Sequence, residues 1–174
     1  MLRYMITEQK CLRPVDLGVA LRLEHQPDEH YEDLAAALGL SLSASHRSVR
    51  RLQFSGLLLP GARRVNRSAL LEFLVSGVRY AFPVSLGAQV RGVPTAGSFA
   101  SLGSLPQGLD AVWPMAEGEA RGPALMPLYE GAPAAALRDE RLHRLLALLD
   151  VMRVGQPRDR KAGATELRNM LLHP

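Results

Sequence analysis

The sequence predicts a mainly α-helical fold with a small β-hairpin, then an extended Gly/Pro-rich segment and C-terminal helices. Three observations predict it. Apolar residues recur at three- and four-residue steps through residues 14–80, and a Leu-Pro-Gly-Ala turn interrupts them near residue 60. Glycine and proline then crowd residues 81–133, and a leucine-rich stretch follows from residue 134. Helical spacing implies helices with one buried face, Pro-Gly punctuation implies a hairpin, and dense Gly and Pro forbid long helices. The chain therefore reads as residues 1–80, a helical domain with the hairpin; 81–133, an extended segment packed on the body; and 134–174, a helical region suited to dimerisation.

The elements follow in order. Pro14 suits a first helical turn, and Val15, Leu17, Val19, Leu21 and Leu23 follow it, although their alternation weakens the helical reading; Pro27 ends the segment. Asp28 or Glu29 can open a second helix, carrying Tyr31, Leu34, Ala35 and Leu38. Gly39 allows the turn, and Ser41 or Ser43 can cap a third helix by accepting from an orphan N–H. Gly56 ends that helix, and LLLPGARRV reads as two short strands around Pro60-Gly61. Ser68 to Val78 gives a further helix. Phe82, Phe99, Trp113, Met115, Leu125, Met126 and Tyr129 are spaced through the Gly/Pro-rich segment and call for burial, which favours an ordered segment over a floppy linker. Leu142, Leu145, Leu146, Leu148 and Leu149 mark a helix that Gly155 stops, and a final helix runs from about Arg158 to Leu172.

Composition narrows the function classes. The 174 residues are 47% hydrophobic and 22% charged, as expected of a globular chain. No apolar run approaches the roughly eighteen residues that cross a bilayer, and the N-terminus MLRYMITEQKCLRP is too polar for a signal peptide. A single cysteine, Cys11, excludes an intrachain disulfide and a cysteine-based zinc site. A reduced, cytoplasmic protein with no membrane partner is expected. Net charge is +4, and every basic residue but Lys10 and Lys161 is arginine. Such a bias reflects a GC-rich genome, so distribution carries more weight than the sum. Arg47, Arg50, Arg51, Arg63, Arg64 and Arg67 fall within a stretch without one acid, whereas residues 81–132 set Arg91 and Arg121 against Asp110, Glu117, Glu119 and Glu130.

That cluster coincides with LAAALGLSLSASHRSVRRLQFSGLL. Leu34, Ala35 and Leu38 give a short helix one apolar face, Gly39 turns the chain, and Leu40 plugs the angle before the next helix. Val49 and Leu52 supply that helix's inward face. This is what a helix-turn-helix requires. It leaves Ser43, His46, Arg47 and Arg50 on the other face, near the helix start, where groove-inserted helices contact base edges. Arginine can bond guanine bidentately. Arg51, beside Leu52, suits a DNA contact and a structural pair with Glu32 or Asp33 equally. Arg63 and Arg64 follow the hairpin turn and can carry cations to phosphate or the minor groove. A helix-turn-helix followed by a two-stranded ribbon is the organisation of a winged helix.

The stretch resembles the winged helix-turn-helix of MarR-like bacterial transcriptional regulators. Those carry L-A-x-x-L-x-L-S-x-S-x-V-x-R-x-V-x-R-L and then a Gly-Leu step into the wing. Leu34, Ala35, Leu38, Leu40, Ser41, Ser43, Arg47, Val49, Arg51, Leu52, Gly56 and Leu57 match. Ser45 departs from the pattern, which has a buried aliphatic there, and with Ser48 it implies a different local packing. The resemblance covers roughly residues 14–80 and implies sequence-specific binding to double-stranded DNA, as a homodimer and typically as a repressor. The remainder is similar to bacterial proteins that join such a domain to a C-terminal extension, a likeness that brings no function with it.

Other classes have less support. His25, His30, His46, His143 and His173 form no ligand-spaced set, and neither a phosphate-cradling loop nor a nucleophile motif is present, so no enzyme, cofactor or metal is expected. Glu117 and Glu119 flank Gly118 near Trp113, the one place a small-molecule site suggests itself in that segment. An effector, small molecule or protein, would best sit between the middle segment and the helical domain, where Trp113 and Tyr129 could line a pocket. The leucine-rich helix either covers its own chain or pairs with a second copy, and the latter is favoured. The alternative function is a protein-interaction module, such as an antitoxin-like partner of a neighbouring enzyme that also regulates its own gene.

Overall fold

The computed structural model describes residues 11–99 and 109–173. Residues 1–10, most of the stretch read as too polar for a signal peptide, lie outside the described residues. Helix α1 spans Pro14–His25, α2 Tyr31–Leu38 and α3 Leu42–Phe54. Next come α4, Arg67–Glu72, a π-helical turn, Phe73–Gly77, and α5, Val78–Ala81. Three strands follow: β1 Leu86–Ala96, β2 Asp110–Pro114 and β3 Ala120–Leu125. The chain continues through α6, Ala132–Ala136, α7, Glu140–Val154, and α8, Pro157–Leu172. Mostly helical with a small sheet is therefore the architecture. None of the described helices is long and apolar enough to cross a membrane.

Most helix ends obey local chemistry. Pro14 opens α1 behind Arg13, whose N–H is taken by Asp16 at 2.7 Å. The second helix starts at Tyr31, later than Asp28 or Glu29, and no side chain caps it. Ser41, not Ser43, caps α3 by accepting from the Ala44 N–H at 3.2 Å. Asn66 caps α4 in the same way, and the helix expected over 68–78 is broken by the π-helical turn. The hairpin is smaller than two strands. It holds one bridge, Leu58 to Val65, beside a Leu59 N–H to Arg64 carbonyl bond of 2.8 Å.

The Gly/Pro-rich segment does more than extend. Its strands form a closed three-stranded barrel. The second half of β1 pairs antiparallel with β2, from Gly92 opposite Pro114 to Ala96 opposite Asp110. The first half pairs antiparallel with β3, with a register shift between Leu86 and Gln89. Val112 and Ala124 meet in parallel and close the ring. So tight a closure needs backbone against backbone. A Cβ on Gly92 would lie 2.0 Å from the Trp113 carbonyl oxygen, and one on Gly118 would lie 2.2 Å from the Gly92 carbonyl carbon. Periodicity could not reveal this sheet, because prolines and glycines at crossing points erase the two-residue alternation.

One apolar core runs through all three regions, from Leu17 of α1 to Leu171 of α8. Helix α7 lies at its centre, packed by α8, β1, α6, α5 and α1. Leu142, Leu145, Leu146, Leu148 and Leu149 are all buried within the chain. The leucine excess thus covers its own body, and these leucines are not available to a second copy.

The barrel is fastened to α7 by a buried carboxylate. Asp150 accepts from Trp113 Nε1 at 2.7 Å and Thr95 Oγ1 at 2.8 Å, and its other oxygen takes Arg153 at 2.8 Å. Burial raises the Asp150 pKa against the pull of Arg153. His143, two turns earlier on the same face of α7, stacks on Phe99 with centroids 3.8 Å apart and bonds the Pro94 carbonyl at 2.7 Å.

Two outcomes are expected. Gly92→Ala should cost about 3 kcal/mol or more in urea unfolding, since backbone must move to admit the methyl group. Gly39→Ala meets open space and bears only its left-handed φ of 67°, about 1–2 kcal/mol. The second concerns pH. Burial, outweighing the Pro94 bond, lowers the His143 pKa from 6.5. The unfolded chain then binds more protons, so stability is full above that value and falls as pH drops through it. His143→Phe should flatten the loss of stability between about pH 7.5 and about pH 5.5, measured by denaturant titration at each pH.

Candidate nucleic-acid interface

The candidate surface is built on α3, and its geometry begins at Gly39. At φ 67° this residue ends α2, and the Leu40 N–H reaches back to the Ala35 carbonyl at 2.8 Å. Leu40 then packs against the core and sets the angle between the two helices. At the far end Gly56, with φ 77°, turns the chain, and the Leu57 and Leu58 N–H groups both return to the Leu52 carbonyl.

The inward face of α3 is partly polar. Ser45, Ser48, Val49 and Leu52 are buried. Asp16, fully buried on α1, accepts from Arg51 Nε at 2.7 Å and Arg51 Nη2 at 2.6 Å. Ser48 Oγ adds a third bond to it at 2.5 Å, and the Arg13 N–H a fourth. A buried carboxylate with four hydrogen bonds, two of them from one bidentate guanidinium, is a well-satisfied ionic contact. Ser45 back-bonds to the Ser41 carbonyl at 3.3 Å. These contacts account for the two serines where an aliphatic face was expected: α3 docks on a carboxylate as well as on leucines. They also correct Arg51. It is turned inward and held by Asp16 of α1, whereas the sequence pointed to DNA or to Glu32 or Asp33 of α2.

The outward face carries Ser43, His46, Arg47 and Arg50, all exposed. Arg47 donates to Ser43 Oγ at 3.3 Å, and no side-chain hydrogen bond engages Arg50 among the described residues. His46 stacks on Tyr31 with centroids 3.7 Å apart and planes at 22°. The guanidinium of Arg63 lies over the same ring, 4.7 Å from its centroid, and donates to the Glu29 carbonyl. The structure thus corrects the expected placement of Arg63, because the hairpin folds back and ties this residue to the start of α2. Arg64 remains exposed at the hairpin. The structure brings Ser43, His46, Arg47 and Arg50 onto one face, keeps Arg64 outside the core, turns Arg51 inward, and ties Arg63 to the Tyr31 ring on which His46 stacks.

The remaining candidate residues lie apart from this face. Trp113 is buried with its N–H on Asp150, and Tyr129 lies against Gly18, where an added Cβ would meet its ring at 2.6 Å. Burial raises the Tyr129 pKa. Trp113 is thus a core residue, and Tyr129 packs on α1. Glu117 and Glu119 are exposed at a turn. Among the described residues no group of His, Cys, Asp or Glu is arranged to hold a metal ion.

Sequence reasoning missed Asp16, and it marked Ser48 only as an anomaly beside Ser45. The one available signal was an acid inside the apolar run of α1, which requires a buried cationic partner. No protein-family model matches the chain, and no curated protein or solved structure is significantly similar to it.

The two neighbouring arginines should separate cleanly. Arg51→Ala strands the buried Asp16 and should cost about 3–5 kcal/mol of stability. Arg50→Ala, on the exposed face, should stay within about 0.5 kcal/mol of wild type. Equal effects in guanidinium titrations would contradict the inward assignment of Arg51.

Proposed function

We propose that this chain is a sequence-specific DNA-binding regulator of winged-helix type, with α3 as the reading helix and the short hairpin as a reduced wing. The observation that carries the reading is the division of α3 into two faces. Ser48 and Arg51 hold the inner face to Asp16, while Ser43, His46, Arg47 and Arg50 stand outside without an acid on that helix. A rigidly held helix with hydrogen-bonding side chains near its start suits insertion into a major groove. Arg47 and Arg50 are assigned to base edges, Ser43 to phosphate, and Arg64 to the backbone beside the groove. His46, fixed by its stack on Tyr31, sits at the edge of the same face. The resemblance to MarR-like regulators supports the reading and adds a homodimeric repressor, since paired half-sites need two reading helices about 34 Å apart. With α7 enclosed in its own chain, that contact falls to another surface.

A second reading has one observation in its favour. Phe54, at the end of α3, is 67% exposed, and Leu42 and Leu59 are each 43% exposed. Apolar side chains at the margins of the same surface suit a protein partner, as an antitoxin-like module would require.

Fluorescence anisotropy on the gene's own upstream DNA, at several salt concentrations, tests the first reading. Arg47→Ala or Arg50→Ala should weaken specific binding by about 1–3 kcal/mol and leave non-specific binding nearly unchanged. Arg64→Ala should weaken both and lower the salt slope by about one. Absence of salt-dependent binding to every upstream fragment would sink the DNA reading. Retained capture of a protein by wild type, lost in Phe54→Ser, would then favour the second.

A further inference from the structure

A polar cleft opens where the end of α1, the hairpin, the start of α4 and the start of α7 meet. It consists of two adjoining hollows of about 310 and 460 Å³ that share Glu24 and Arg67 in their walls. Arg64, Leu59 and Val65 line the first, and Arg141 the second.

The charges in this cleft do not balance. The Glu24 side chain is fully buried. Arg141 satisfies one of its oxygens from Nε at 3.2 Å and Nη2 at 3.0 Å. One guanidinium held in this way is enough to neutralise one carboxylate. Arg67 is nevertheless drawn to the same group, with Nη2 at 3.3 Å from Oε1, and it reaches the Glu24 carbonyl only at 3.5 Å. Oε1 is sealed from solvent and takes no directed hydrogen bond, whereas the Arg67 side chain is 41% exposed. What enters the cleft therefore meets guanidinium groups, not the carboxylate. The acids next door are engaged already: Arg22 bridges Glu29 and Asp139, and His25 bonds Asp139 at 2.9 Å. With Arg64 in the wall of the first hollow, three arginines and one glutamate leave two positive charges, and guanidiniums held from behind, as Glu24 holds Arg67 and Arg141, are preorganised for tetrahedral oxyanions.

We propose that this cleft binds a small phosphate-type dianion, inorganic phosphate or a phosphate monoester, through Arg64, Arg67 and Arg141. Glu24 is the positioning residue that holds Arg67 and Arg141 in place. Leu59 and Val65 offer an apolar wall for the body of an ester. The site shares Arg64 with the DNA reading, but Arg67, Arg141 and Glu24 belong to it alone, and it uses neither Arg47 nor Arg50.

Isothermal titration calorimetry on the full chain tests it, with inorganic phosphate and phenyl phosphate as separate probes at constant chloride. Saturable binding is expected, weakened at least about tenfold by Arg67→Ala. Tighter binding of phenyl phosphate assigns the site to an ester lying on Leu59 and Val65; equal binding assigns it to the simple ion. Thermal melts check that Arg67→Ala folds. Arg64→Ala, which touches no part of Glu24, is the second variant and should also lower affinity. No saturable binding of either probe up to about 10 mM, or unchanged affinity in both variants, overturns the proposal. So does a duplex that occupies Arg67 while neither small probe binds. Anisotropy with Arg47→Ala reports on the DNA reading separately.

Discussion

The contact between Asp16 and Arg51 is the constraint on which the candidate surface depends. A carboxylate without water is unfavourable by several kcal/mol unless opposite charge and hydrogen bonds replace the solvent. Here Arg51, Ser48 and the Arg13 N–H supply them. Because Arg51 and Ser48 belong to α3 and the acceptor to α1, satisfying the carboxylate fixes the rotation of α3 about its own axis. Leucine packing alone tolerates some rotation, since apolar contacts have no direction. A bidentate guanidinium does not. Once Ser48 and Arg51 point inward, the 3.6-residue repeat leaves Ser43, Arg47 and Arg50 on the outside.

The same logic recurs in two other buried acids. Asp150 joins the barrel to α7 through Trp113 and Thr95, and Arg153 of the same helix supplies its counter-charge. Glu24 joins α1 to α7 through Arg141. Each acid takes an arginine out of the apparent surface charge, and Arg63 is taken in a different way, by an aromatic ring and a carbonyl. Arginine serves here because its planar head can bond two atoms while its stem packs against carbon. A composition rich in arginine is thus partly an internal scaffold. The net charge of the chain says little about how much positive potential reaches a ligand.

What could be read from the sequence follows from the range of the forces involved. Gly39, Ser41, Gly56, Pro14 and Gly155 act within a few residues of themselves, so the ends of α1, α3 and α7 were legible. The apolar faces of α2 and α3 were legible for the same reason. Strand pairing of β1 with β2 and β3 was not, because it rests on contacts between segments and on glycines at crossing points. Arg51 shows the limit most clearly. Beside Leu52 it had two equal readings, and the residue that decides between them lies thirty-five positions earlier in the chain. The inward serines were visible as anomalies, but their cause became visible only with Asp16 alongside.

Asp16 and Glu24 sit at opposite ends of one helix, and their different degrees of satisfaction assign them different roles. Asp16 has four donors and holds its arginine inward, so the group is closed and can only support structure. Glu24 has one arginine well bonded and a second at longer range with much of its head in solvent. A closed cluster resists change, whereas a cluster with surplus donors gains from a further acceptor. Arg67 lines both hollows, the first beside Arg64 of the hairpin and the second beside Arg141 of α7. Helix α1 thereby links the surface that α3 presents to the cleft at its other end. A ligand in the cleft would act on the hairpin directly, and on α3 only through the rigid body of α1.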